Sequence, residues 1–458
     1  MQRARPALKF IPVKFQPWVA RVIVTALPII RRYRLRPWLP AGIGRIEVEN
    51  AEVLAELYHQ FQAGKVRFLM AFRHPEVDDP LSMIQLVCRT LPKVARDRGI
   101  PLKPPVHSHF LYDRGMTIWA GKWLGWMFSR AGGSPIHRGK KLDWQGMRAA
   151  RELLTDGQFP LAIAPEGATN GHSEIVSPLE PGGAQLAFWC VEDLQKANRS
   201  EEVFIVPIGI RYSYPEPPWQ TLDELFAQLE ADLGLPVESR ATVEESQRPA
   251  RFYDRLLRLG ESLLERMEAF YSKVYGYKLP QDAASGLHER LQTLLNTALQ
   301  VSEDYFGLKP EGTLIERCRR VENAGWHRIY REDIPDLEAL APVDRGLANW
   351  TAAEADLRMR HMRLVESFVA VTQSYVQEEP TVERLAETAL ILFDTVERLK
   401  GTKTPRRPRL GWRTSKMIIA EPISVSARWT MYQKSRSAAR DAIATLTQDL
   451  ETALKAIT

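Results

Sequence analysis

The chain has 458 residues, 45% hydrophobic and 26% charged, enough length and apolar content to bury a sizeable core as two or three domains, or as one domain with an insertion. Its three cysteines, Cys88, Cys190 and Cys318, are odd in number and lack paired spacing, which argues against a disulfide framework or a four-thiolate zinc site and fits a reducing compartment. The net charge of +6 is local: residues 1–46 carry ten Lys and Arg and no acid, leaving −4 on the rest, so a general nucleic-acid surface is disfavoured.

That basic arm is also apolar. Trp18 to Ile30 is a hydrophobic run broken by Arg21 and Pro28, and Arg31, Arg32, Tyr33, Arg34, Arg36 and Trp38 follow at once. The run is shorter than the roughly 20 residues of a spanning helix. Arginines after the run do not suit a secretory signal. Trp and Arg at both ends suit the headgroup layer, so residues 1–40 are expected to form a membrane-associated helical arm, peripheral or monotopic on a cytoplasmic face. The competing reading packs this arm on the protein's own core.

Next in chain order, Val66–Phe72 is expected to be a short buried strand ending at Arg73-His74, and Asp79-Pro80 opens a helix, with Pro in the first turn. Further strands are predicted at Val106–Phe110, Phe159–Ala164 and Val203–Ile210, with helices at Trp144–Asp156 and Gly183–Gln195 between them. Strands alternating with helices predict an α/β fold with a largely buried sheet.

From residue 215 to 410 the pattern becomes helical. Amphipathic periodicity predicts helices at Phe252–Tyr275, Ala284–Glu303, Ala352–Gln377 and Val382–Leu399, separated by Pro and Gly breaks. Strand character returns at Met417–Val425, and a terminal helix begins near Ser435.

Four short segments carry chemistry. In Phe72-Arg73-His74-Pro75-Glu76-Val77-Asp78-Asp79-Pro80, a histidine at a strand end and an aspartate at a helix start can meet, the carboxylate fixing the ring's tautomer and raising its basicity. Gly132-Gly133-Ser134-Pro135-Ile136-His137-Arg138 places a guanidinium in a turn, where it can grip a phosphate. Ala164-Pro165-Glu166-Gly167-Ala168-Thr169 puts a carboxylate and a permissive glycine after a buried strand. Val206-Pro207-Ile208-Gly209 is an apolar strand element. Singly each has a plain structural reading: a surface cation at Arg138, a helix-capping acid at Glu166, an edge-strand proline at Pro207. No second His/Asp cluster with ligand spacing lies nearby, so no metal is expected.

In this order and spacing the four segments resemble the glycerophospholipid acyltransferase family, over roughly residues 40–212. The resemblance implies that His74 acts as general base with Asp79 orienting it. It implies that Arg138, with Gly133 in the same block, holds the acceptor's phosphate. Glu166 and Gly167 would position the glycerol part, and Pro207 would support the acyl-chain side. The implied reaction moves a fatty acyl chain from acyl-CoA or acyl carrier protein, as cosubstrate, to a lysophospholipid acceptor. No further cofactor is expected, and no nucleic acid.

Lysophosphatidic acid is the favoured acceptor; glycerol 3-phosphate, another lysophospholipid, and a non-catalytic membrane-associated scaffold remain as alternatives. Two departures from the family pattern matter. Ala168, Thr169 and Asn170 stand where the third block commonly continues as Thr-Arg, so phosphate recognition leans on Arg138, with Lys140 and Lys141 beside it. Asp78 lies beside Asp79, and spacing selects Asp79.

The resemblance also implies that Met417–Val425 is the family's closing strand. The expected architecture is then an arm (1–40), an acyltransferase domain (41–214 and 411–458) with a mixed sheet flanked by helices, and an all-helical insertion (215–410). Pro310-Glu311-Gly312-Thr313 imitates the third block, but no strand precedes it, and it reads as a helix start. Trp119, Trp123 and Trp126 read as core packing, or alternatively as an acyl-chain wall or membrane contact. His107 and His109 are expected to face one side of a strand, and His172 is left without a role.

Overall fold

The computed structural model describes residues 2–35, 42–119, 121–137, 143–237, 244–279, 286–368, 373–402 and 404–458. The chain forms two compact units, one built from residues 2–9 and 217–411, the other from residues 10–137, 143–216 and 412–458.

The second unit is organised by an eight-stranded sheet. In chain order its strands are β1 (Ile43–Glu49), β2 (Val66–Phe72), β3 (His109–Asp113), β4 (Gly133–Ile136), β5 (Leu161–Ile163), β6 (Glu202–Ser213), β7 (Arg413–Ile419) and β8 (Ile423–Ser424). They lie in the order β1-β7-β6-β2-β5-β3-β4, with β8 also on β6. Strands β6, β2, β5, β3 and β4 run parallel, and β7 and β8 are antiparallel to β6. The carboxyl ends of five parallel strands therefore line one edge, which is where open α/β sheets place their sites.

Every residue of β2 is buried, because both faces of the sheet are covered. Phe68 and Met70 pack with Leu54, Tyr58 and Phe61 of the helix α1 (Ala51–Gln62) on one face. Leu69 and Ala71 pack with Ala187 and Phe188 of a second helix, Gly182–Lys196, on the other. A strand covered on both sides reads as a continuous apolar run, and truncating Leu69 to Ala would cost about 2–5 kcal/mol. The one cation in β2, Arg67, buries its guanidinium by donating to the carbonyls of Leu154 (2.8 Å) and Gly157 (2.8 Å) at the end of the helix α2 (Trp144–Asp156). A charge is well placed on the negative end of a helix.

The strand expected at Val106–Phe110 begins instead at His109. The backbone of His107 is taken by a side chain: its N–H donates to Tyr58 Oη (3.1 Å), and that hydroxyl donates to its carbonyl (2.8 Å). The strand expected at Met417–Val425 is two strands, β7 and β8, interrupted at residues 420–422.

In the arm, residues 17–30 form the helix α3 (Pro17–Ile30). Its residues Val19, Ala20 and Leu27 are buried, and Trp18, Val22 and Ile29 are exposed. The segment before it is tied down by Lys14 N–H to Ser129 O and Gln16 N–H to Arg130 O. Trp123 and Trp126, expected in the core, are 44% and 47% exposed, and Trp126 lies 6.5 Å from Trp18 between ring centroids. The Trp119 side chain lies outside the described residues. Among the described residues no helix is long and apolar enough to cross a membrane.

The first unit is helical. Its long helices are Trp219–Asp232, Arg248–Tyr275, Leu287–Phe306, Leu314–Ile329, Pro342–Phe368 and Val382–Leu399. Leu314–Ile329 is the helix that Pro310-Glu311-Gly312-Thr313 introduces: Thr313 caps it and exchanges a reciprocal capping box with Glu316. Residues 2–9 also belong to this unit, Arg5–Pro6 pairing in parallel with Tyr330–Arg331. No periodicity in the arm signals that pairing.

Candidate active site

The site lies at the carboxyl end of β2. The ladder continues one residue past the strand, with Arg73 N–H donating to Ile208 O (2.9 Å). The Arg73 side chain, wholly buried, turns away from solvent to pair with Glu166 (Nε to Oε1, 3.2 Å) and to donate to the carbonyls of Ser173 (2.6 Å), His172 (3.2 Å) and Ile175 (2.5 Å). An arginine so saturated fixes the backbone on either side of it. The next residue, His74, is held by its own N–H on Glu166 Oε1 (2.9 Å).

His74 Nδ1 meets Asp79 Oδ2 at 3.0 Å. Asp79 begins the helix Asp79–Gln85 and is fully buried, while the imidazole keeps 22% exposure. The carboxylate accepts three further constraints: Glu76 N–H on Oδ2 (2.8 Å), Tyr212 O–H on Oδ1 (2.6 Å), and the helix start that carries it. Burial pushes the Asp79 carboxyl above its ordinary value, and the bonds from His74, Tyr212 and Glu76 pull it back. With Nδ1 engaged as donor, Nε2 is the nitrogen left to accept a proton, which is the geometry of a general base.

Asp78, the other carboxylate, faces elsewhere. It pairs with Arg413 Nη2 of β7 at 2.9 Å, and the same guanidinium lies 3.7 Å from Glu76 and 4.6 Å over the Tyr212 ring. Burial pushes Asp78 up to about 7 against the pull of Arg413.

Glu166 and Gly167 follow β5. The resemblance gave Glu166 the acceptor's glycerol part, but in this structure both its oxygens are engaged inside the protein. Oε1 takes Arg73 and His74, and Oε2 takes Ser177 N–H (2.9 Å) and Asn170 Nδ2 (3.4 Å). What this carboxylate touches is the loop that carries His74. Asn170 also donates to Ile175 O (2.6 Å) and so ties the same loop. Gly171 N–H closes on Pro75 O (3.0 Å). Gly167 has φ +73°, and a side chain there would run into the Glu180 carboxylate, so the position requires glycine. His172 is buried in this loop, its backbone N–H on Asn170 Oδ1.

Gly133 lies in β4, where a Cβ would overlap the Phe110 ring, so its smallness serves strand packing. Arg138, with Lys140 and Lys141, lies outside the described residues. On the same sheet edge, the sequence reading missed Arg114, which follows β3. It is 9% exposed and pairs with both oxygens of Asp143 (3.1 Å each), and Asp143 also accepts His137 N–H (2.7 Å). A cation directly after a parallel strand was the available signal.

Pro207 lies within β6, between β2 and the β7/β8 edge. Its carbonyl accepts Ala420 N–H (3.0 Å), and as a proline it returns no N–H to that residue, where β7 gives way to β8. A proline inside a sheet is tolerated at such an interruption. The His107 and His109 rings bond the carbonyls of Ala131 (2.8 Å) and Gly132 (3.0 Å), and burial lowers both pKa values, that of His109 to about 4. These are core histidines.

The histidine–carboxylate pair thus lies at the carboxyl edge of the parallel part of a mixed sheet, and among the described residues no serine or cysteine side chain bonds the His74 ring. Residues 45–211 match the acyltransferase family model, and the chain carries an acyltransferase-family domain there, so acyl transfer is its reaction class. No curated protein and no solved structure matches the chain.

Proposed function

We propose that the protein transfers a fatty acyl chain from acyl-CoA or acyl carrier protein to the hydroxyl of lysophosphatidic acid, giving phosphatidic acid, at the cytoplasmic face of a membrane. The observation that carries this reading is the His74–Asp79 bond at 3.0 Å, on an imidazole that remains accessible. His74 removes the hydroxyl proton as the acceptor oxygen attacks the thioester carbonyl. The C–O bond forms, the C–S bond breaks, and the proton passes to the departing thiolate. Asp79 stabilises the imidazolium formed in between. No covalent enzyme intermediate, metal or prosthetic group is required.

Arg138 holds the acceptor's phosphate by the family resemblance. Glu166 acts by fixing Arg73 and the His74 backbone, Gly167 by allowing the turn, and Pro207 by supporting the acyl-chain side of the sheet. The domain is one sheet into which residues 217–411 are inserted; the position of β7 between β1 and β6 supports this. The exposed Trp18, Val22 and Ile29 of α3 support attachment to a membrane surface.

The test is product analysis with purified protein, offering both thioester donors against lysophosphatidic acid, other lysophospholipids and glycerol 3-phosphate. Phosphatidic acid as the main product is expected. Preferred acylation of glycerol 3-phosphate or of another lysophospholipid reassigns the acceptor, and no transfer to any of them favours a scaffold.

A further inference from the structure

A carboxylate that orients a histidine must itself be prevented from turning. Asp79 is buried, and its Oδ2 serves His74 and Glu76 N–H, so its orientation depends on what holds Oδ1. That partner is the Tyr212 hydroxyl at 2.6 Å, from the carboxyl end of β6, 133 residues further along the chain. We propose that Tyr212 is a positioning residue for acyl transfer, locking the Asp79 carboxylate so that its other oxygen stays on His74. This rests on the reading of His74 as the base.

Three observations set Tyr212 apart from an ordinary core tyrosine. Its ring is clamped: it is 3% exposed, and the Arg413 guanidinium lies 4.6 Å over it. Its backbone N–H donates to Ser173 Oγ (3.2 Å), and the Ser173 carbonyl holds Arg73, so one residue steadies both sides of the His74 loop. Its β7 partner is Ser415, whose hydroxyl bonds Ser82 Oγ (3.0 Å) on the helix that carries Asp79. The carboxylate and its phenol are thus fixed from β6, β7 and that helix together.

The titratable and charged groups around Asp79 are His74, Glu76 and Asp78 from its own loop, Tyr212 from β6 and Arg413 from β7. Burial and the two aspartates push the phenol well above its ordinary pKa, so it remains a donor throughout the working range. A short bond from a neutral donor draws charge from Oδ1 and makes the carboxylate less basic. Removing that bond leaves a more basic and less constrained Asp79. The base must then be freed of its proton at higher pH.

The experiment compares wild type with Tyr212→Phe, which keeps the ring volume, and with 3-fluorotyrosine at position 212, which keeps the packing and strengthens the donor. In Tyr212→Phe, kcat is expected to fall by roughly 10- to 100-fold with KM changed less than about twofold. The low-pH limb of kcat/KM should move up by about half a unit to one unit. Fluorotyrosine should move that limb the opposite way. The downfield Nδ1 proton resonance of His74 should shift in Tyr212→Phe, and this readout needs no turnover. If the wild type transfers no acyl group, the functional reading fails while the resonance still tests Tyr212. Wild-type kcat, a lowered kcat with an unmoved limb, or an unmoved resonance overturns the proposal.

Discussion

Arg73 and Glu166 form an ion pair in which both side chains are fully buried, Nε to Oε1 at 3.2 Å, and the same carboxylate oxygen accepts the backbone N–H of His74 at 2.9 Å. The base is therefore positioned through its main chain by a residue 92 positions away. Two loops, one after β2 and one after β5, are locked into a single piece at the sheet edge. Breaking a buried pair by removing one partner leaves an uncompensated charge and costs about 3–5 kcal/mol. Glu166→Gln should lower stability in urea by that order and lower acyl transfer with it. A loss below about 1 kcal/mol would show that the pair does not anchor the loop.

Asp78 predicts a pH dependence of stability. Burial raises its folded-state pKa from the usual 3.8 to about 7, opposed by Arg413. A carboxyl raised in the folded state holds its proton more tightly there than in the unfolded chain. Its contribution is full below about pH 4 and is lost as pH rises through about 7. The stability of wild type relative to Asp78→Asn should fall across that window, by a few kcal/mol at most at about 1.4 kcal/mol per unit. Urea midpoints of the two proteins between these limits check it, and a flat or rising difference contradicts it.

Gly167→Ala should destabilise by about 1–2 kcal/mol from the left-handed backbone. Because Glu166 precedes it directly, the displaced loop should also reduce kcat. Thermal melts and steady-state kinetics check the two effects separately. A variant with wild-type melting and activity would show that the turn relaxes without disturbing Glu166.

The exposed face of α3 predicts membrane attachment. Changing Trp18, Val22 and Ile29 together to Ser should leave folding nearly unchanged, since all three are more than half exposed. Partitioning to anionic phospholipid vesicles should drop at least about tenfold. Undiminished partitioning would place the contact elsewhere on the protein.

The parts of the fold set by local pattern were legible in the sequence. The apolar run of β2, the helix at Trp144–Asp156, the helix at Val382–Leu399 and the start of the last helix after Ser435 all fall where the sequence pattern put them. The family's spacing chose Asp79 over Asp78, and the His74 ring bonds Asp79. What could not be read depends on distant strands. Tyr212 and Arg413 reach the His74 loop from 133 and 335 residues beyond Asp79 and Asp78, through the order β2-β6-β7, and no local spacing encodes that order. Glu166 was singled out, but its partner Arg73 was given no role. Burial alone reveals that it holds the loop. The start of β3 was missed because a tyrosine hydroxyl, invisible to periodicity, takes the backbone of His107.

The most direct test of the account is an acyl-transfer assay with the intact protein and the His74→Ala and Asp79→Asn variants, using acyl-CoA and acyl carrier protein donors with lysophosphatidic acid. General-base catalysis predicts transfer by the wild type and a fall of roughly 10²- to 10⁴-fold in kcat for His74→Ala, with a smaller fall for Asp79→Asn. Undiminished transfer by the His74→Ala protein would contradict the assignment of His74 as the base.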